Sequence, residues 1–304
     1  MSYYPPSPEH NPHPPRKGII LRRMILCASI LLVVYGVVRL AGYGADLLSS
    51  RQTTRELREA VATEAGTAAP AGTDAPAETS EPLPETTVIA PVETALPEEA
   101  TAVSAVLPEV AYPKGYELVP RIQELRKKSE YIIGWITMDD LDEPVALKDN
   151  EFFLNHDATG KRNSNGAIFM EEGTRLLTRP YTILLYGHNM KSGNMFGNLR
   201  KYEDPTYCSK HRTFRFDTLY EEGQYEIFAV VTISVTPGKA RYLNLWALQS
   251  TDRETRKEAL ASLKRVNSYV STAEVGEEDQ ILLLVTCVGD DDERLVVAAV
   301  RMKD

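Results

Sequence analysis

The chain has 304 residues and a formal net charge of −9, spread unevenly along its length: residues 1–59 carry 8 Lys/Arg against 4 Asp/Glu, residues 60–113 carry none against 9, and residues 114–304 carry 26 against 30. Of its 19 prolines, 14 lie before residue 114, so the first third is not packed core and roughly 190 residues remain for one globular domain. That domain lacks the basic excess of a nucleic-acid binder, and no nucleic-acid partner is expected.

Residues 1–18 open with MSYYPPSPEHNPHPP, too proline-rich for a helix and too polar for a core, and are expected to form a disordered cytoplasmic tail. Arg16, Lys17, Arg22 and Arg23 surround the start of an apolar run. Residues 19–43 supply 25 positions, against the ~20 needed to cross ~30 Å of hydrocarbon. Arg39, near the far end, can snorkel to the interface. A cleaved secretory signal is the alternative, for which Ala41-Gly42-Tyr43-Gly44-Ala45 is only a weak cleavage site. With an uncleaved anchor, the basic flank predicts a cytoplasmic amino terminus and an extracytoplasmic remainder at the plasma membrane. Residues 44–113 are expected as linker. Within it, residues 60–113 are almost wholly Ala, Thr, Pro and Glu, and their single charge sign and regular prolines predict an extended stalk. Cys27 falls in the span, and counting leaves open a disulfide between the remaining Cys208 and Cys287.

In the folded domain, residues 114–304, Leu118, Ile122, Leu125 and Ile132 among basic residues predict an amphipathic helix ending near Gly134. Strands are predicted at 135–138, 143–147, 167–170, 181–186, 213–217, 224–236, 280–287 and 294–301, mostly separated by turn residues. Thr251 to Val270 is the long helical stretch, with Asp252 as N-cap and Leu260, Leu263, Val266 and Val270 on one face. Eight short strands, one inserted helix and no βαβ rhythm predict a mainly β fold, a closed or nearly closed barrel with helical decoration; pattern alone separates barrel from sandwich only weakly.

Chemistry points to the end of QILLLVTCV. A lone strand cysteine is more often a small inert hydrophobe than a nucleophile. Cys287, however, closes an apolar run just before Gly289-Asp290-Asp291-Asp292, and a second strand starts at Arg294. If the two strands form a hairpin, Cys287 and Arg294 are opposite or nearly opposite, and the guanidinium favours a thiolate and supplies oxyanion donors. A salt bridge from Arg294 to Asp290, Asp291 or Glu293 is the plainer alternative. A nucleophilic thiol usually needs a base or cation nearby. His10 and His13 lie in the tail, and His156 and His211 lie in polar, loop-like contexts. His188 ends the strand ILLYG, where Gly187 permits a sharp exit, and leads the three remaining candidates. Papain-like and cell-wall amidase hydrolases usually place Cys before His, the reverse of the order here, and no ligand spacing predicts a metal or other cofactor.

Leu284-Val285-Thr286-Cys287 followed by Arg294-Leu295-Val296-Val297 resembles the catalytic strand pair of sortases, and Tyr186-Gly187-His188-Asn189-Met190 with GNMFGNLRKY is similar to the signature of their class B branch. Residues 149–157 (DNEFFLNHD) and 165–169 (NGAIF) fit the same family, so the likeness spans essentially all of 115–304. It implies a sortase-type closed β-barrel with an amino-terminal and an inserted helix. It also implies a transpeptidase that cuts a carboxy-terminal sorting signal of a secreted protein after Thr and passes the acyl group to a peptidoglycan-precursor or cell-wall amine. Hydrolytic release of product and pilin polymerisation are the alternatives within that fold. By resemblance Cys287 is the nucleophile, His188 the general acid/base and Arg294 the oxyanion and substrate stabiliser, while Asn150, Leu154, Tyr242 and Thr286 line the signal-binding groove. Two departures stand out: Leu283 occupies the position of the motif's first Thr, and the turn at Asp290, Asp291, Asp292 and Glu293 is unusually acidic.

Overall fold

The eight apolar segments close into one barrel. The computed structural model describes residues 16–65, 117–267, 269, 271–288 and 292–303; residues 1–15 of the expected tail, residues 66–116, Ser268, Val270, Gly289, Asp290, Asp291 and Asp304 lie outside the described residues, while residues 16–18 of that tail already belong to a helix. Helices α1 (Arg16–Ala65) and α2 (Pro120–Lys128) precede strands β1 (Ile132–Met138), β2 (Leu141–Ala146), β3 (Ile168–Met170) and β4 (Thr182–Tyr186). Then come α3 (Pro205–Lys210), β5 (Thr213–Thr218), β6 (Gln224–Ser234), α4 (Arg253–Val266), β7 (Ile281–Cys287) and β8 (Glu293–Arg301). The barrel order is β1-β2-β3-β4-β7-β8-β6-β5, with β2–β3 and β4–β7 parallel and the other pairs antiparallel. All eight expected strands are present, which decides the barrel over the sandwich.

The unbroken hydrophobicity of β7 and β8 has a structural cause. Leu282 and Leu284, with Leu295, Val297 and Ala299, point into the barrel. Their alternates Ile281, Leu283, Val285, Val296, Ala298 and Val300 pack outward beneath α4, against Leu260 and Leu263. Both faces of these strands are therefore buried, and they read as continuous apolar runs rather than alternating ones. Leu283, the departure from the resembled motif, is fully buried in the layer under α4.

Helix α4 is shorter than the predicted 251–270. Asp252 caps it as expected, its carboxylate accepting from the Thr255 amide at 2.8 Å, and Asn267 ends it in extended backbone while donating to the Phe228 carbonyl of β6 at 3.2 Å. Val266 ends up 38% exposed rather than on the buried face. Arg256 takes an unexpected buried place, donating to the carbonyls of Ser250, Thr251 and Glu277 and stacking over Tyr181. The helix predicted up to Gly134 stops at Lys128, because Ile132 already pairs with Ala146 as the first residue of β1. Cys208 and Cys287 are both free thiols, so the disulfide left open by counting is absent.

The largest difference concerns α1. The apolar helix does not give way to linker at residue 44 but continues to Ala65, and its second half lies against the barrel: Leu57, Ser50 and Thr54 are buried there. Residues 44–65 contain no proline, and Arg55 pairs with Glu59 one turn on at 2.7 Å. These are local helix signals that the proline-rich composition further along had masked.

Candidate active site

Register and parity bring the site together. Thr286 pairs with Leu295 and Cys287 with Arg294, directly opposite in the β7–β8 ladder. Cys287 shares the parity of Leu283 and Val285, and Arg294 that of Val296 and Ala298, so both belong to the outward face. There they lie past the end of the apolar layer, where Cys287 is exposed. The backbone is pinned on both sides of the thiol: the Val288 amide donates to the Glu293 carbonyl at 3.1 Å, and Asn189 Nδ2 donates to the Cys287 carbonyl at 2.8 Å.

His188 arrives from the neighbouring parallel strand. Tyr186 of β4 is level with Val285 of β7, so two residues further along each chain His188 and Cys287 emerge at the same end of adjacent strands. The Thr286 hydroxyl donates to the Gly187 carbonyl at 2.7 Å and keeps the pair aligned past the last ladder position. Gly187 is required by close approach, since a Cβ there would sit 2.9 Å from the Phe196 ring. His188 Nε2–H donates to the Leu154 carbonyl at 2.8 Å. In the neutral imidazole this leaves Nδ1 as the proton acceptor.

A groove of about 300 Å³ receives all three side chains, lined also by Asn150, Leu154, Glu171, Tyr186, Trp246 and Thr286. Leu154, 43% exposed, offers it an apolar surface. Both polar ends of Asn150 are engaged: Nδ2 donates to Glu171 Oε1 at 2.8 Å, and Oδ1 accepts from the Glu172 amide at 3.0 Å. Burial, then the neighbouring Glu171 carboxylate, pushes the Tyr186 phenol well above its ordinary range, so it stays protonated and able to donate.

Other expectations fall elsewhere. Tyr242 is not among the groove-lining residues. Its amide closes a turn onto the Lys239 carbonyl, after Arg241 in left-handed backbone at φ 60°, and it bridges to Ser234. Leu245 and Trp246 line the groove in its place, positioned where the Asn244 side chain accepts from the Trp246 amide at 3.1 Å. His156 stacks flat on Phe152 with ring centroids 4.0 Å apart, and His211 pairs with Asp139, so neither joins the groove. In the acidic turn, Lys239 binds the Asp292 carboxylate and holds it below its ordinary range. Arg294 donates to the Glu293 carbonyl at 2.9 Å. Among the described residues no three His, Cys, Asp or Glu side chains gather as a metal site. Glu171, Tyr186, Leu245 and Trp246 in the groove, and Asn189 beside it, are among the site residues that the sequence pattern assigned no role. Asn189 had a signal, adjacency to His188 at a strand exit; Glu171 and Trp246 come from distant segments.

The sortase domain family matches residues 140–302. Sortase B of Listeria monocytogenes is 31% identical over 179 residues, 58% of this chain and 70% of that protein. Sortase B of Staphylococcus aureus is 29% identical over 189 residues, 59% of this chain and 74% of that protein. Among solved structures, sortase B from B. anthracis in complex with AAEK1 superposes with a TM-score of 0.53 at 30% identity, covering 60% of this chain and 85% of that one. A Staphylococcus aureus sortase B–substrate complex superposes at 0.55 and 25% identity, covering 62% and 87%. With more than half its length matched to the domain, and with these relatives sharing its barrel, the chain belongs to the sortase family, class B, and is a cysteine transpeptidase.

Proposed function

We propose that this transpeptidase is held in the plasma membrane by α1 with its amino terminus cytoplasmic, cuts a carboxy-terminal sorting signal after Thr, and transfers the secreted protein to a cell-wall amine. The observation that carries the reading is the direct cross-strand pair Cys287–Arg294 with His188 at the same strand end, all opening on one groove. In the first step the Cys287 thiolate attacks the scissile carbonyl. The carbonyl π electrons move to oxygen, where the Arg294 guanidinium stabilises the charge. Collapse expels the amine, which takes a proton from imidazolium His188, and leaves a thioester. An incoming amine then gives its proton to neutral His188 and displaces Cys287. The apolar side chains of Leu154, Leu245 and Trp246 around the groove disfavour water as the competing nucleophile.

The anchor reading rests on α1, whose span beginning at Ala28 has an apolar window with none of its surface buried, and on the basic residues at its start. Incubating the enzyme with a Thr-containing sorting-signal peptide, with and without an added amine, tests the reaction. Amine-dependent formation of a ligated product is expected. Release of free acid at the same rate whether or not amine is present makes the enzyme a hydrolase instead.

A further inference from the structure

Asp46, Ser50, Thr54 and Arg58 recur every four residues along α1 and so share one face of the helix. Each is engaged on the barrel. The Asp46 carbonyl accepts from Asn163 Nδ2 at 3.0 Å, and its carboxylate accepts from the Ser164 amide at 3.2 Å and from the Ser164 hydroxyl. Ser50 Oγ accepts from Asn165 Nδ2 at 3.1 Å, the Thr54 hydroxyl donates to Glu143 Oε2 at 2.6 Å, and Arg58 Nε pairs with Asp142 Oδ2 at 2.7 Å. Leu57, 3% exposed, joins the core alongside them.

The first half of α1 is the opposite kind of surface. Every side chain from residue 28 to 43 is exposed, including Leu31, Leu32 and Leu40 at 70% or more. All-round apolar exposure fits hydrocarbon, whereas a one-sided polar seam fits water and a protein neighbour. The change occurs between Tyr43 and Asp46, about 4.5 Å along a continuous helix at 1.5 Å per residue. The barrel turn that meets Asp46 is preceded by Lys161 and Arg162, both exposed and both cationic, the side chains that anionic headgroups attract.

We propose that the second half of α1 is a clamp that seats the barrel directly on the bilayer, with the exposed Lys161 and Arg162 side chains toward anionic headgroups, instead of letting it hang from the proline-rich stalk. This rests on the membrane anchor read above. The seam also ends beside the chemistry. Gly166, in left-handed backbone at φ 64°, lies so close to the site that a Cβ would sit 3.0 Å from His188 Cδ2. The Asn163 amide donates to the Asn155 carbonyl at 2.9 Å, next to the Leu154 carbonyl that holds His188. The seating therefore places the His188 side of the groove nearest the bilayer.

The full chain in vesicles of phosphatidylcholine and phosphatidylglycerol provides the test. With Cys27, Cys208 and Cys287 replaced by Ser, Ser50→Cys with Asn165→Cys should form an intramolecular disulfide on mild oxidation, detected as a cross-linked peptide. Arg58→Cys with Asp142→Cys, at the exposed edge of the seam, should be bridged by a short bismaleimide, which spans the gap left by the long arginine side chain, if the buried pair prevents folding. A fluorophore on Lys161→Cys should lose emission to a headgroup-attached quencher, while one on Lys303→Cys, beyond the opposite end of the barrel, should not. Absence of both cross-links, or a cross-link with no quenching at residue 161, overturns the seating. A cross-linked chain recovered outside the membrane fraction overturns the anchor reading instead, and leaves the clamp as a docking of α1 alone.

Discussion

Replacing Glu143 by Gln should make the docking of α1 independent of pH. Glu143 lies on β2 under the helix, where burial pushes its carboxyl from the ordinary 4.5 up to about 7. The Thr54 hydrogen bond and the Arg58 guanidinium pull it down only in part, and Asp142 adds to the rise. When α1 lifts off, the carboxyl is solvated and returns toward its ordinary value. A folded-state pKa raised in this way gives docking its full strength below pH 4.5 and removes that contribution as pH rises through 7. The change is worth roughly 3 kcal/mol, on the order of a hundredfold in the opening equilibrium. Hydrogen exchange of residues 46–61 in the full chain in detergent, corrected for intrinsic rates, reads that equilibrium. Protection should fall by that factor between pH 5 and pH 8, while Glu143→Gln should keep its pH 5 protection throughout, since its side-chain oxygen still accepts from Thr54. Equal wild-type protection at the two pH values would refute the reasoning.

Three further outcomes follow from named contacts. Arg294→Lys should lower kcat/KM for a sorting-signal peptide by about a hundredfold with little change in melting temperature, because a point charge lacks the planar donor fork; wild-type kinetics would remove Arg294 from the chemistry. Arg256→Ala should cost about 3 kcal/mol and about 6–12 °C in Tm, since the Ser250, Thr251 and Glu277 carbonyls lose their buried donor. Unchanged thermal unfolding would show that water replaces the guanidinium. Trp246→Ala should raise KM several-fold and leave kcat nearly intact if this half-exposed ring forms a groove wall without touching the reacting atoms; a fall in kcat alone would contradict that.

The barrel strands were legible because each is a short apolar run bounded by turn residues. The Cys287–Arg294 pair was legible because a tight hairpin fixes its own register. His188 could be ranked ahead of His156 and His211 by its strand-end position, but their exclusion needed the structure, where a ring stack and an ion pair hold them elsewhere. Contacts between distant segments were not readable: Glu171 meets Asn150 across 21 residues, and Trp246 lines the groove while Tyr242 does not. The docking of α1 was missed for a different reason. Its four-residue stripe of polar residues pairs with strand β2 and with residues 163–165, about a hundred residues away, and the proline-rich composition downstream made the whole region look like linker.

The acyl-enzyme itself gives the most direct test of the catalytic assignment. Intact-mass analysis after mixing enzyme with a Thr-containing sorting-signal peptide should show one adduct, mapped to Cys287 and ending at the Thr residue, which disappears on adding an amine as the ligated peptide appears. Cleavage without any adduct on Cys287, or undiminished cleavage by Cys287→Ala, would contradict it.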